Sequence, residues 1–255
     1  MIDTHSHILA GIDDGAETME ETKQLLDKAL EEGLTGIIAT PHAHHPSYPT
    51  DINEIKKQLA ITKDYITEQN LPIEIYSGNE CRLSDKLPER LAQGKALTLA
   101  DSRYVLLELP SSGVPAYTVQ IIQQLIADNY VPIIAHVERN QGIIEKPERL
   151  EQLLVHGALA QVTAGSLVGG FGKAIQRTAF SLIEANLIHV YGSDVHNMSK
   201  RPFLFKEGLA TLEKKKHHEL IEILLANNEC IIHDKPMTIL EPLKIQKGKW
   251  WNLFL

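Results

Sequence analysis

Two short blocks at opposite ends of this 255-residue chain place metal-binding side chains two positions apart: His5-Ser6-His7 and Asp194-Val195-His196. In an extended backbone alternate side chains share a face, so each block presents two ligands to one side. Between them Asp14, His42, Glu80, Glu108 and His136 each follow a short apolar run. A lone His or Glu at a strand end is more often a structural hydrogen-bonding group. Five imidazoles and four carboxylates converging on one face are a different matter. A zinc-like ion takes about four ligands and an octahedral ion about six, so two or three divalent ions are implied. Glu108, between Leu107 and Leu109, would be a costly buried carboxylate without a cation. Mixed imidazole and carboxylate donors suit Mn, Fe or Zn. Clustered ions of this kind activate a bound water and clamp phosphoryl oxygens. Arg139, three residues past His136, and Arg201, five past His196, can reach the same face. Their planar forks suit phosphate, and a surface ion pair is the alternative reading of each.

The elements that must carry these residues are legible as alternation. Strand-like runs fall at Met1–Thr4, Gly36–Ala39, Ile73–Ser77, Tyr104–Leu107, Pro132–Ala135, Ala158–Val162 and Ile188–Tyr191. Helical patterns lie between them, at Thr18–Glu32, around Ile52, Ile55, Leu59 and Ile66, and at Val119–Asp128, Glu148–His156, Gln176–Ala185 and Glu219–Asn227. Gly33 supplies a stop for the first helix, and Asp51 with Glu54 has the spacing of a capping box for the second. Apolar strands alternating with helices mean α/β, with a parallel sheet covered by helices. At least seven units in about 230 residues fit a closed (β/α) barrel better than an open doubly wound sheet. In a barrel the strand ends converge on one face, which is where the ligands fall. We place one domain at 1–233 and a tail at 234–255.

Composition narrows the field further. With 25 Lys+Arg against 33 Asp+Glu the formal charge is −8, which offers no basic track for nucleic acid. No apolar run approaches the ~18 residues of a spanning helix, and Met-Ile-Asp-Thr-His does not open a signal peptide. A cytoplasmic protein is expected. Cys81 and Cys230 read as free thiols, and neither has an Arg six residues on, so a cysteinyl-phosphate route is disfavoured. Gly169-Gly170-Phe171-Gly172-Lys173 lacks the first Gly and the Ser/Thr of a P-loop and reads as a rim loop. His44 and His45 read as surface residues near the pocket mouth, in a loop marked by Pro46 and Pro49. In the tail, Trp250 and Trp251 stand beside Lys244, Lys247 and Lys249. That suits peripheral contact with anionic lipid, at about 1 kcal/mol per basic residue. Packing on the barrel or on a neighbouring subunit is the other reading, and the oligomeric state stays open.

Taken in order, Asp3-x-His5-x-His7, Asp13-Asp14-Gly15, Thr40-Pro41-His42, Gly78-x-Glu80, Leu107-Glu108, Ala135-His136-x-Glu138-Arg139-Asn140 and Gly192-Ser193-Asp194-x-His196-Asn197 resemble the polymerase-and-histidinol-phosphatase (PHP) superfamily. More closely they are similar to its capsule and exopolysaccharide branch, the manganese-dependent bacterial protein tyrosine phosphatases of the CpsB/CapC/YwqE type. The likeness covers nearly the whole chain and departs at Ala43, Val137 and Val195, none of them a ligand. It implies a distorted barrel of the PHP type holding three metal ions, manganese by family habit. His5, His7, Glu80 and Asp194 would hold the first. Glu80 would bridge to a second, held also by Glu108 and His136, and Asp14, His42 and His196 would hold the third. It further implies hydrolysis of phosphotyrosine on proteins, the target being a tyrosine kinase of capsule or exopolysaccharide export. A phosphatase of a small metabolite such as histidinol phosphate, and a non-catalytic metal-binding regulator, are the alternatives.

Overall fold

The structure is a computed structural model and describes residues 1–245. Strands β1 (Ile2–Ser6), β2 (Gly36–Ala39), β3 (His42–Ala43), β4 (Glu74–Tyr76), β5 (Glu80–Arg82), β6 (Tyr104–Glu108), β7 (Val131–Ile134), β8 (Leu159–Thr163) and β9 (Val190–Gly192) pair in parallel throughout. They form the ladders β1-β2-β4 and β3-β5-β6-β7-β8-β9. Two of the barrel's staves are interrupted. Pro41, which has no N–H to give a ladder, separates β2 from its continuation β3. Gly78 and Asn79 likewise separate β4 from β5, and Glu80 N bridges the gap to Thr40 O and Pro41 O at 3.3 and 3.2 Å. The last stave returns to the first: Asp194 N donates to His5 O at 2.8 Å and His7 N to Val195 O at 2.9 Å. An open doubly wound sheet has no such closure, so the ring is a distorted parallel barrel.

Helices α1 (Met19–Glu31), α2 (Ile52–Glu68), α3 (Leu87–Ala92), α4 (Thr118–Ala127), α5 (Gln141–Glu145), α6 (Glu148–Val155), α7 (Ala164–Leu167), α8 (Lys173–Glu184), α9 (Phe205–Lys214) and α10 (His218–Ile232) wrap it. α1 buries Leu25, Leu26 and Ala29 and ends at Gly33, whose φ of +74° suits a glycine. A capping-box-like pair forms here, displaced by one residue, and not on α2. Thr18 Oγ1 accepts from Glu21 N at 3.2 Å, while the Glu21 carboxylate reaches back to Glu17 N at 2.6 Å. On α2, Asp51 caps Asn53 N at 2.9 Å, and Glu54 turns outward to Lys57 at 3.3 Å, because a salt partner one turn on competes for its carboxylate. Short helices α3, α5 and α7 carry too few turns to show a periodic stripe, and α9 was likewise absent from the sequence reading.

The strands divide the core in two. Along β6, Val105 and Leu107 face the helices, while Tyr104 and Leu106 face the lumen with Ile2, Ile38, Ile133, Leu159 and Val190. Period-two alternation then carries Glu108 to the lumen's upper end. α10 closes the floor: Ile231 joins the lumen cluster, and the Asn228 amide donates to Ile2 O and Tyr191 O at 2.9 and 2.7 Å. The segment 234–245 runs along the barrel, tied by Arg103 to Asp234 at 2.9 Å and by Leu243 N to Ala185 O at 2.8 Å. The lipid-contact reading depends on Lys247, Lys249, Trp250 and Trp251, which lie outside the described residues. Among the described residues no helix is long and apolar enough to cross a membrane.

Candidate metal centre

All nine residues singled out by type and spacing meet at the C-terminal mouth of the barrel. His5 and His7, at the end of β1, are buried side by side with Nε2 atoms 3.2 Å apart. Each ring is held from behind through Nδ1: His5 by Gln161 Oε1 at 2.8 Å, His7 by Asp13 Oδ2 at 2.7 Å. A ring pinned at Nδ1 turns Nε2 inward, which is the orientation a metal ligand needs. Asp13 also accepts from His42 N at 2.8 Å and Gly15 N at 3.0 Å, so one carboxylate sets the loop after β1 and the start of β3 together. Gly15 is required by close approach, since a Cβ there would stand 2.0 Å from His7 O.

Glu80 is the hub. Its Oε2 lies 3.4 Å from His5 Nε2, 3.3 Å from His7 Nε2 and 3.1 Å from His42 Nδ1, and its Oε1 lies 2.6 Å from His136 Nε2. Asp194 divides its two oxygens. Oδ1 faces His5 and His7 at 3.3 and 3.6 Å, while Oδ2 accepts from both Arg139 and Arg201. Asp14 Oδ1 lies 3.3 Å from His196 Nε2 and 3.6 Å from His42 Nε2. Glu108 finds part of its expected cation in Arg82, whose Nη1 is 3.0 Å from Oε1. His136 and Asp194 both adopt left-handed backbone, with φ of +34° and +57°, a costly conformation for non-glycine residues that collects at functional sites.

Within 4.8 Å of one another stand ligand atoms of three groups: His7, Asp14, His42 and His196; His5, His7 and Glu80; His42, Glu80 and Glu108. His7, His42 and Glu80 thus each belong to two groups and His136 and Asp194 to none, whereas the division implied by the resemblance shared only Glu80. The donor set fits divalent cations by a further sign. His42 Nδ1, Glu108 Oε2 and Asp194 Oδ1 are buried atoms without a hydrogen-bond partner, and each belongs to a residue singled out as a ligand. Unpartnered buried polar atoms are rare and costly. Crowding distorts the titration of the same groups. Burial, then the Glu80 charge, raises Glu108 to about 7, and burial lowers His42 to about 4. Against the cost of burial, Asp13 and Glu80 raise His7 to about 10.

The arginines arrive from two loops. Arg139 lies 4.7 Å over the Phe171 ring, so the glycine-rich rim loop supports it from below. Arg201 is set by Asn197, whose Oδ1 accepts from the backbone of Ser199, Lys200 and Arg201 itself. Its Nη1 sits 2.6 Å from His196 Nε2. Both guanidiniums line a cavity of about 300 Å³ together with Asp14, His42, Glu80, Glu108 and His136. His45 and Tyr48 line it too, whereas His44 turns away to Lys95 O at 3.0 Å. Cys81 is buried with its thiol raised by desolvation to about 12, and neither cysteine lines the cavity. Residue types and spacing did not reveal Asp13, Gln161, Arg82, Phe171 or Tyr48. Only Asp13 left a local signal, as the neighbour of Asp14 in an Asp-Asp-Gly block.

Comparison with known proteins agrees with this architecture. The family described as capsular polysaccharide synthesis, CpsB/CapC, matches residues 1–233. The Staphylococcus aureus protein CapC is 36% identical over 251 residues, 98% of each chain. The tyrosine-protein phosphatase YwqE of Bacillus subtilis (strain 168) is 35% identical over 254 residues, covering 100% of both. A crystal structure from work on YwqE of Bacillus subtilis and CpsB of Streptococcus pneumoniae, there called metal-dependent tyrosine phosphatases, superposes with a TM-score of 0.93. It has 35% identity and covers 97% of this chain and 100% of that one.

Proposed function

The chain belongs to the CpsB/CapC family, and on that premise we propose that it is a metal-dependent protein tyrosine phosphatase working from the barrel mouth. The observation that carries the reading is that His42, Glu108 and Asp194 each bury an unpartnered atom at the mouth, where Asp194 also holds two arginines. His5, His7, Asp14, His42, Glu80, Glu108, His136, Asp194 and His196 would hold divalent cations, which would supply Lewis acidity to activate a water and offset phosphoryl charge. In this reading the ions would number three, manganese would be the metal, and Glu80 would contribute to two of the sites.

The side chains do the rest. Asp194 offers Oδ1 toward the imidazoles and holds the two guanidiniums on Oδ2, which fixes positive charge beside the ligand cluster. A guanidinium has five N–H donors, so Arg139 and Arg201 retain donors for phosphoryl oxygens while anchored. Those donors are set before substrate arrives and are aimed where charge develops, the arrangement that lowers a phosphoryl-transfer barrier. Asp13 and Gln161 keep the imidazoles from rotating. A tyrosyl leaving group, with an ordinary pKa of about 10, needs less proton donation than an alkyl alcohol. The protein target is a bacterial tyrosine kinase of capsule or exopolysaccharide export, met in the cytoplasm.

The test sets a phosphotyrosyl peptide, a phosphoseryl peptide and histidinol phosphate side by side after chelation and again after Mn²⁺ is returned. Turnover of the phosphotyrosyl peptide alone or best, lost on chelation and regained with Mn²⁺, is the expected result. Full activity after verified removal of every metal overturns it, and preference for histidinol phosphate moves the assignment to a metabolite phosphatase.

A further inference from the structure

At the cavity mouth Tyr48 and His45, neither of them a candidate ligand or phosphate-binding residue, pack as an aromatic surface against the His42 ring. Tyr48 lies parallel to the His42 ring, with centroids 5.2 Å apart and 3° between planes. His45 stacks on both, 4.9 Å from Tyr48 and 4.7 Å from His42. The loop holding them is built by its own hydrogen bonds. Tyr48 N donates to His45 O at 3.1 Å, Ser47 N to His45 Nδ1 at 3.2 Å, and Thr50 Oγ1 to His42 O at 2.6 Å. Pro46 takes the second position of this four-residue turn, which its fixed φ suits. Tyr48 and His45 are half-buried, and both line the cavity that contains Arg139 and Arg201.

The phosphoryl group is common to aryl and alkyl esters, so contacts made only to it cannot separate them. Discrimination beyond the leaving group's own acidity has to come from contact with the alcohol side. A ring stacked on an aromatic side chain gains up to about tenfold beyond simple burial, and an alkyl chain gains none of that part. We propose that Tyr48, backed by His45, is the wall on which the ring of an aryl phosphate stacks, so that this loop selects aryl over alkyl phosphomonoesters. The proposal rests on the phosphatase reading above and deepens it by assigning recognition of the leaving side. Tyr48 and His45 are specificity-determining residues here, not ligands.

The experiment uses the manganese-loaded full chain and its variants Tyr48→Ala, Tyr48→Phe and His45→Ala. It measures kcat and KM on phosphotyrosyl and phosphoseryl forms of one peptide, and binding of phenylphosphonate against methylphosphonate. Tyr48→Ala should lower the aryl-to-alkyl ratio of kcat/KM about tenfold, mainly through KM, and weaken phenylphosphonate equally. Methylphosphonate binding and metal content should not move. Tyr48→Phe should keep the wild-type ratio, and His45→Ala should lower it about threefold. Equal losses on both peptides, or an unchanged ratio in Tyr48→Ala, overturn the proposal. So does a loss in Tyr48→Phe, which would make the hydroxyl facing Asp14 the working group. If the wild-type protein hydrolyses neither peptide, the phosphatase reading fails on its own, and the phosphonate pair still decides whether this wall prefers a ring.

Discussion

At the floor of the barrel Asn228 donates to Ile2 O and Tyr191 O and accepts from Tyr191 N, and Asn227 likewise bonds His189 O and both backbone groups of Thr238. At the mouth, a strand's length away, His42, Glu108 and Asp194 each keep a buried atom with no partner. Both ends bury polar groups inside the same ring of strands. The floor satisfies them with backbone, which ties α10 to β1 and β9. The mouth crowds carboxylates and imidazoles against one another, a state that favours bound cations over the bare protein. Mutation should therefore cost function at one end and stability at the other.

The largest effect is expected at Glu80. Glu80→Gln should lower kcat on a phosphotyrosyl peptide by at least about a thousandfold, because its oxygens face four imidazoles. Metal content should fall as well, since the same oxygens are the ones placed to hold cations. Near-normal turnover and metal content would mean that Glu80 holds no cation. Next comes Arg139→Ala, with a ten- to thousandfold loss in kcat/KM, or about 1.5–4 kcal/mol, at unchanged metal content. Metal lost together with activity would recast Arg139 as a support for Asp194. Arg201→Ala should follow the same pattern with a smaller loss.

At the floor the signs reverse. Asn228→Ala removes three hydrogen bonds to buried backbone and should cost about 3 kcal/mol in urea unfolding. Turnover per folded molecule should stay near wild type, and a loss of kcat there would break the division between the two ends. The smallest effect is a pH dependence. His189 is buried, its Nδ1 accepts from Ala160 N at 3.1 Å, and desolvation lowers it from 6.5 to about 4. Between those values the unfolded chain binds more protons than the native one, so stability rises with pH. The contribution is complete above about pH 6.5 and is lost as pH drops toward 4, with about 2 kcal/mol gone at pH 5. Unfolding of wild type and His189→Gln at pH 5 and 7.5 checks this, the variant showing a flatter slope. An equal slope would place the acid sensitivity elsewhere.

How far the sequence reached follows from the range of each interaction. The candidate ligands and their order were legible because all but Asp14 sit at or just past the end of a strand, and a strand end is a local feature. Parallel pairing followed from apolar strands alternating with helices, and the first helix from Thr18, Leu25, Leu26 and Gly33, all within one turn-by-turn pattern. Closure was legible only as a number of units. It was decided by Asp194 N meeting His5 O across 189 residues of chain, a contact no window can contain. The same holds for the supports of the site. Gln161 pins His5 from 156 residues away, and Arg82 meets Glu108 from the neighbouring strand. Phe171 meets Arg139 because the rim loop between α7 and α8 brings its ring against the guanidinium. Residue type thus determined which atoms could bind a cation or a phosphate. Only the closed barrel decided which of them share a point in space, because proximity between strands is set by register and closure, to which no single strand's composition refers.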